Sequence, residues 1–170
     1  MKFSSVALLL FSILFSANTM AADTMIIVVR HAEKSTDDSK DPGLSEQGIA
    51  RANKLAAVLK DVNLKAVYAT QYRRTQHTGL PSATQAGLQL EVRPANKENT
   101  KTYASDLLKE ILKKHRGATV LIVGHSNTVP EIVNYLSKVD VTPIGENEFD
   151  RLYVITLGTK TRLLSVGYNP

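Results

Sequence analysis

Met25-Ile-Ile-Val-Val-Arg-His-Ala-Glu33 opens with five apolar residues, four of them β-branched, and then turns polar at Arg30-His31. The apolar run has no polar alternation. A strand buried on both faces reads this way, and such strands belong to parallel sheets covered by helices. The run ends on a fixed positive charge and a nucleophilic, titratable ring. In open α/β sheets ligands bind beyond the carboxyl ends of the strands, so Arg30 and His31 mark a candidate site by their position.

The same pattern recurs twice. Lys65-Ala-Val-Tyr-Ala-Thr70 reads as a second strand and runs into Gln71-Tyr-Arg-Arg-Thr-Gln-His-Thr78. Thr70 or a neighbour is expected to cap the helix that begins there, with Arg73 and Arg74 in its first turn. Cations oppose the helix dipole at that end, a cost that an anion bound nearby would offset. His77 reads as a structural histidine, and Pro81 as a kink or a new turn. Ala118-Thr-Val-Leu-Ile-Val123 is the third apolar strand; it ends at Gly124-His125-Ser126-Asn127-Thr128, with Pro130 in the first turn of the following helix. Gly124 is expected to let the backbone turn sharply beside a ligand.

Between these strands lie helices of scaffold type. Ser45 is an N-cap, and Ile49, Ala52, Leu55, Ala56 and Leu59 form the expected buried stripe. Tyr103, Leu107, Ile111 and Leu112 give the inward face of another helix, closed by Lys113 to Arg116 and Gly117. Leu88 to Val92 alternates and reads as an outer strand, while 152–157 and 161–166 read as a hairpin around Gly158-Thr-Lys. The loops 34–43 and 93–102 fall at the rim of the site. The fold class is therefore α/β: three layers, with a mostly parallel central sheet covered by helices on both faces.

Residues 1–22 stand apart. Lys2 precedes the apolar run Val6 to Phe15, and Thr19-Met-Ala21 offers small residues for cleavage after Ala21 or Ala22. The segment reads as a signal peptide, too short to span a bilayer. It predicts a periplasmic or secreted protein with no stable membrane anchor after processing and a single domain over 23–170. The chain of 170 residues suits one core. It has no cysteine, which excludes a disulfide framework, a thiol nucleophile and a thiolate metal site. Its net charge is +5, but the cations are dispersed and no basic run points to nucleic acid.

Arg30, His31, Arg73 or Arg74, and His125 thus arrive at three strand ends. Arginine forks match the oxygens of a tetrahedral phosphate. A neutral imidazole can attack phosphorus and split the reaction into two displacements. Arg30-His31, the pattern Thr70-x-x-x-Arg74-Thr-x-x-Thr78 and Gly124-His125-Ser126 resemble the histidine phosphatase (phosphoglycerate mutase-like) superfamily, in order and across the chain after residue 22. The resemblance implies a phosphoglycerate mutase-like fold, His31 as nucleophile, and a phosphate pocket of Arg30, Arg74 and His125. It also implies a phosphohistidine intermediate without metal or cofactor. The compact form resembles the small phosphatase branch with a reduced lid.

One element of the family pattern is missing. Ser126 follows His125 where relatives carry an acidic proton donor, and the 93–102 loop is short. Glu98, Glu33, Glu146, Glu148 and Asp150 are candidate donors, with water or substrate as the alternative source of the proton. The expected activity is hydrolysis of phosphomonoesters, with a phosphorylated small molecule or an envelope phosphosugar as substrate. The alternatives are a mutase, or a non-catalytic module that binds a phosphosugar or lipid headgroup in the same pocket.

Overall fold

The structure is a computed structural model that describes residues 22–169. The expected signal segment, residues 1–22 with cleavage after Ala21 or Ala22, lies outside the described residues except for Ala22. The elements run β1 (Thr24–Arg30), α1 (Glu46–Val58), β2 (Leu64–Ala69), α2 (Arg73–Gln85), β3 (Leu90–Val92), α3 (Tyr103–Lys114), β4 (Thr119–Gly124), α4 (Thr128–Ser137), β5 (Arg151–Leu157) and β6 (Arg162–Gly167). Among the described residues no helix is long and apolar enough to cross a membrane.

One sheet of six strands in the order β3-β2-β4-β1-β5-β6 forms the middle layer. The four strands β3, β2, β4 and β1 are parallel, and β5 and β6 add an antiparallel hairpin beside β1. The apolar strands have no polar alternation because both their faces are covered. Ile26, Val28, Tyr68, Val120 and Ile122 point to the side where Tyr103, Leu107 and Ile111 of α3 pack with Val129, Ile132 and Val133 of α4. Ile27, Val29, Val67, Leu121 and Val123 point to the other side, against Leu55 of α1 and Ala83 of α2.

Register decides where the site lies. Arg30 pairs with Gly124 across β1 and β4, and Ala69 pairs with Val123 across β2 and β4. Three adjacent parallel strands therefore end level with one another, and the residues that follow them share one edge of the sheet. Glycines let the helices approach closely enough for this. A Cβ at Gly79 would meet Leu90 at 3.0 Å and Val67 at 3.1 Å, and one at Gly124 would meet the Thr128 hydroxyl at 2.7 Å.

Several local expectations change. Ser45 caps α1, accepting the Gly48 N–H at 3.1 Å, but Ile49 is 52% exposed and Arg51 takes an inward position instead. Arg51 goes inside because it has partners there: Glu33 in a bidentate pair, closest at 2.7 Å, and the Tyr168 carbonyl at 3.0 Å. α2 runs through Pro81 to Gln85, so the proline neither ends it nor starts a new turn. Gly124 is not among the residues with positive φ. It supplies room for α4, not an unusual turn.

Candidate active site

Arg30, His31, Arg74 and His125, the sequence-predicted site residues, line one cavity of about 550 Å3 at the level strand ends. Its size is that of a small-molecule site. The rim comes from Lys34, from 95–98 and Thr100, and from Ser126, Asn127, Glu131 and Glu146.

His31 is 4% exposed, and its backbone N–H donates to the Gly124 carbonyl at 2.9 Å. Its Nδ1 lies 2.8 Å from the Ala32 carbonyl. A carbonyl only accepts, so Nδ1 carries the proton and the lone pair sits on Nε2. Nε2 makes no hydrogen bond and is not buried, so it is open to the cavity. Burial is the main force pushing the His31 pKa down, to about 3, with the positive charges of Arg30 and Arg74 adding to it. The ring is therefore neutral near pH 7.

The Ala32 peptide is itself fixed. Its N–H donates to the Thr78 hydroxyl at 2.9 Å, and that hydroxyl donates to the Arg74 carbonyl at 2.7 Å. His125 stands across the cavity with its ring centroid 5.4 Å from that of His31. Its Nε2 is bonded to the Thr70 hydroxyl at 2.8 Å, and Tyr72 packs edge-on at 5.3 Å. Burial, followed by Arg74 and Arg30, lowers its pKa to about 4.

Arg30 spends its Nη1 on the Gly145 and Glu148 carbonyls at 2.6 and 2.9 Å and stacks over Phe149 at 4.3 Å. Arg74 stacks over Tyr72 at 4.3 Å and lies 3.8 Å from the Asp41 carboxylate. In both arginines Nε–H is buried without a partner. Leaving such a donor unpaired costs about 1–3 kcal/mol or more.

Arg73 is not brought to the cavity. It pairs with Asp37 at 3.1 Å, while its own N–H donates to the Asp41 carboxylate at 3.0 Å. The two cations at the head of α2 therefore have acidic partners from the 34–43 loop. The dipole cost expected there is met by Asp41 and Asp37 before any ligand is considered. Nor does Thr70 cap the helix: Tyr72 is the N-cap residue, without a side-chain cap, and Asp41 serves instead. His77 lies outside the cavity, near Gly43.

Of the candidate proton donors, Glu98 and Glu146 line the cavity and Glu33, Glu148 and Asp150 do not. Glu33 is held by Arg51, and Glu148 by Arg151 at 2.7 Å and the Gly145 N–H at 3.1 Å. Glu131, one turn into α4, joins the lining. It was missed in the sequence, as was Phe149; neither sits in a strand-end motif. Among the described residues no group of three or more His, Asp or Glu side chains forms a metal-binding cluster.

Residues 26–102 match the family model of the histidine phosphatase superfamily, branch 1, a span that includes Arg30, His31 and Arg74. Over these residues the chain is similar to the histidine phosphatase superfamily. No curated protein matches it by sequence. Among solved structures it is similar to the protein histidine phosphatase SixA complexed with tungstate, at 19% identity and TM-score 0.69, over 84% of this chain and 96% of that one. A mycobacterial glucosyl-3-phosphoglycerate phosphatase superposes at 14% identity and TM-score 0.65, over 86% and 99% of the two chains. A phosphoglycerate mutase from Bacillus anthracis str. Sterne does so at 16% identity and TM-score 0.66, over 87% and 94%. At these identities the structures share the superfamily's fold, and the α/β architecture is the phosphoglycerate mutase-like one.

Proposed function

We propose that the protein is an exported phosphatase that hydrolyses phosphomonoesters through a phosphohistidine at His31. The reading is carried by the fixed tautomer of His31: its Nδ1–H is committed to the Ala32 carbonyl, which leaves an Nε2 lone pair open beside two arginines with unpaired donors. A neutral imidazole is a competent nucleophile toward phosphorus, and Arg30 and Arg74 would stabilise the charge on the equatorial oxygens. His125 completes the phosphate pocket opposite His31. Phosphatases among the structural neighbours support this activity.

Export and a periplasmic setting rest on the sequence of residues 1–22, and they favour a phosphorylated small molecule or an envelope phosphosugar as substrate. The short 93–102 loop favours the small phosphatase branch over a mutase. The rival reading, a module that binds phosphorylated ligands without turnover, draws on one observation: Glu98, Glu131 and Glu146 are all exposed, and none is buried against the histidines.

Rapid alkaline quenching with a radiolabelled phosphomonoester separates the two readings. The label is expected on His31, acid-labile, and absent from His31→Ala. Tight binding of the same ester with no label and no phosphate release would establish the binding module.

A further inference from the structure

Thr70 and Thr75 lie behind the pocket, both at 0% exposure. The Thr75 hydroxyl is 2.8 Å from the Tyr72 carbonyl and 3.2 Å from the Thr70 carbonyl, and both oxygens can only accept. The one proton of Thr75 therefore goes to a carbonyl. The Thr70–Thr75 contact at 2.9 Å must then be carried by the Thr70 proton. With that proton spent, the 2.8 Å contact between Thr70 and His125 has one remaining donor, the imidazole Nε2–H. The reverse direction would make one hydrogen bond fewer in a buried place, a loss of about 0.5–1.5 kcal/mol.

A ring held with its proton on Nε2 presents Nδ1 as a lone pair. Nδ1 makes no hydrogen bond and is not buried, so it is open to the cavity. A neutral His125 in this tautomer cannot donate to a phosphate oxygen; it can only accept from one. The ligand it complements is a phosphate that still carries a proton.

We propose that Thr70 and Thr75 fix His125 so that its Nδ1 takes the proton of a phosphomonoester monoanion and passes it to the leaving oxygen. The proposal rests on the phosphatase reading and supplies the proton donor that the sequence lacks. In the first step the Nε2–P bond forms at His31 and the P–O bond to the alcohol breaks. The phosphate's proton, carried on His125 Nδ1, ends on the departing oxygen, so one negative charge enters with the ester and remains on the phosphohistidine. In the second step water attacks phosphorus, the N–P bond breaks, and a water proton returns through Nδ1 to the phosphate, which leaves as the monoanion.

The surroundings suit a neutral His125. β1 sends Arg30 and His31 toward it, and the head of α2 sends Arg74 and Tyr72. The two arginines disfavour a second positive charge on the ring, and burial adds to them. Lys34 and Lys97 add positive charge at the mouth, and Tyr103 lines the α3 side. The carboxylates Glu98, Glu131 and Glu146 are spread around the solvent edge. A phosphomonoester loses its second proton near pH ~6. Activity per substrate encounter is therefore expected to fall about tenfold per pH unit above that, as the monoanion disappears.

Nitrogen-15 spectra of the histidine-labelled full protein read the tautomer directly, with or without turnover. His125 is expected as the Nε2–H form, kept in Thr70→Ser and lost in Thr70→Val. Kinetics supply the second arm. A nitrophenyl phosphate has a leaving group that departs without a proton, whereas an alkyl phosphate does not. Thr70→Val is expected to lower kcat about a hundredfold on the alkyl ester, the scale of general acid catalysis, and by under tenfold on the nitrophenyl ester. Thr70→Ser is expected to restore both. Turnover with His125 in the Nδ1–H form, or equal losses on both esters, would overturn the proton route alone. A wild-type protein that turns over neither ester refutes the phosphatase reading, and the proton route with it.

Discussion

The N–H of Ala32 donates to the Thr78 hydroxyl at 2.9 Å, and that bond ties the segment carrying His31 to the helix carrying Arg74. His31, the proposed nucleophile, and Arg74 are thereby referenced to the same buried oxygen. Thr78→Val keeps the volume and removes the acceptor, leaving a buried N–H unpaired at a cost of about 1–3 kcal/mol. Urea unfolding is expected to show that loss. Turnover is expected to drop more than tenfold, since the Ala32 carbonyl that holds His31 Nδ1 loses its anchor. Wild-type kinetics in the variant would refute the positioning role.

Asp41 gives its carboxylate to the head of α2 and stands 3.8 Å from Arg74. It competes with any bound oxyanion for that guanidinium. Asp41→Asn keeps a capping oxygen but removes the charge, so inorganic phosphate should bind several-fold tighter, as measured by calorimetry. The gain should shrink at high salt, because a partly exposed pair is screened. Weaker phosphate binding would mean that Asp41 orients Arg74 more than it neutralises it.

The Glu33–Arg51 pair is nearly shut off from solvent, with side chains 13% and 7% exposed. Removing one partner strands a buried charge. Glu33→Gln is expected to lose about 3–5 kcal/mol in chemical denaturation. At a temperature where the variant is folded, its kcat should stay within a few-fold of wild type, because the carboxylate faces Arg51 and not the cavity. A hundredfold fall in folded protein would restore Glu33 as a proton donor.

His31 and His125 fold with pKa values of about 3 and about 4, each pushed down chiefly by burial. An unfolded histidine titrates near pH ~6.5. Between these values the unfolded chain binds more protons than the folded one, so stability rises with pH through that window. It is fully present above about pH 6.5 and is lost as pH falls toward the folded values. His31→Gln should flatten the acid side of a plot of Tm against pH. An unchanged slope would show that other groups govern acid unfolding.

The positive charge lining the cavity comes from Arg30, Arg74, Lys34 and Lys97. EDTA is accordingly expected to leave phosphate release unchanged, and a loss restored by added metal would require a different mechanism.

The three apolar strands were legible in the sequence because a strand covered on both faces writes its environment into every residue. Val28, Val29, Val67, Val120 and Val123 are all at 0% exposure. Arg30, His31 and His125 were legible for the complementary reason, since a polar residue directly after such a run has one place to be. Arg74 needed the resemblance, because spacing alone did not separate it from Arg73. What stayed hidden depends on partners distant in sequence. Arg51 lies inside because Glu33 and Tyr168 receive it, and Asp41 caps a helix that begins 32 residues later. Thr70 looked like an ordinary capping hydroxyl until the His125 ring was placed beside it.

Arg30 reaches the 145–149 segment through two backbone carbonyls, those of Gly145 and Glu148. Carbonyls are the one feature of a loop that substitution leaves in place. Apart from Phe149, over which Arg30 stacks, side chains there can be exchanged, and with them the shape and charge at the mouth, while the two carbonyls keep the arginine's footing. On the proposed phosphatase reading, recognition of the phosphate and recognition of whatever carries it would in this way be separable, with the exposed Glu146 at the mouth able to vary above fixed chemistry.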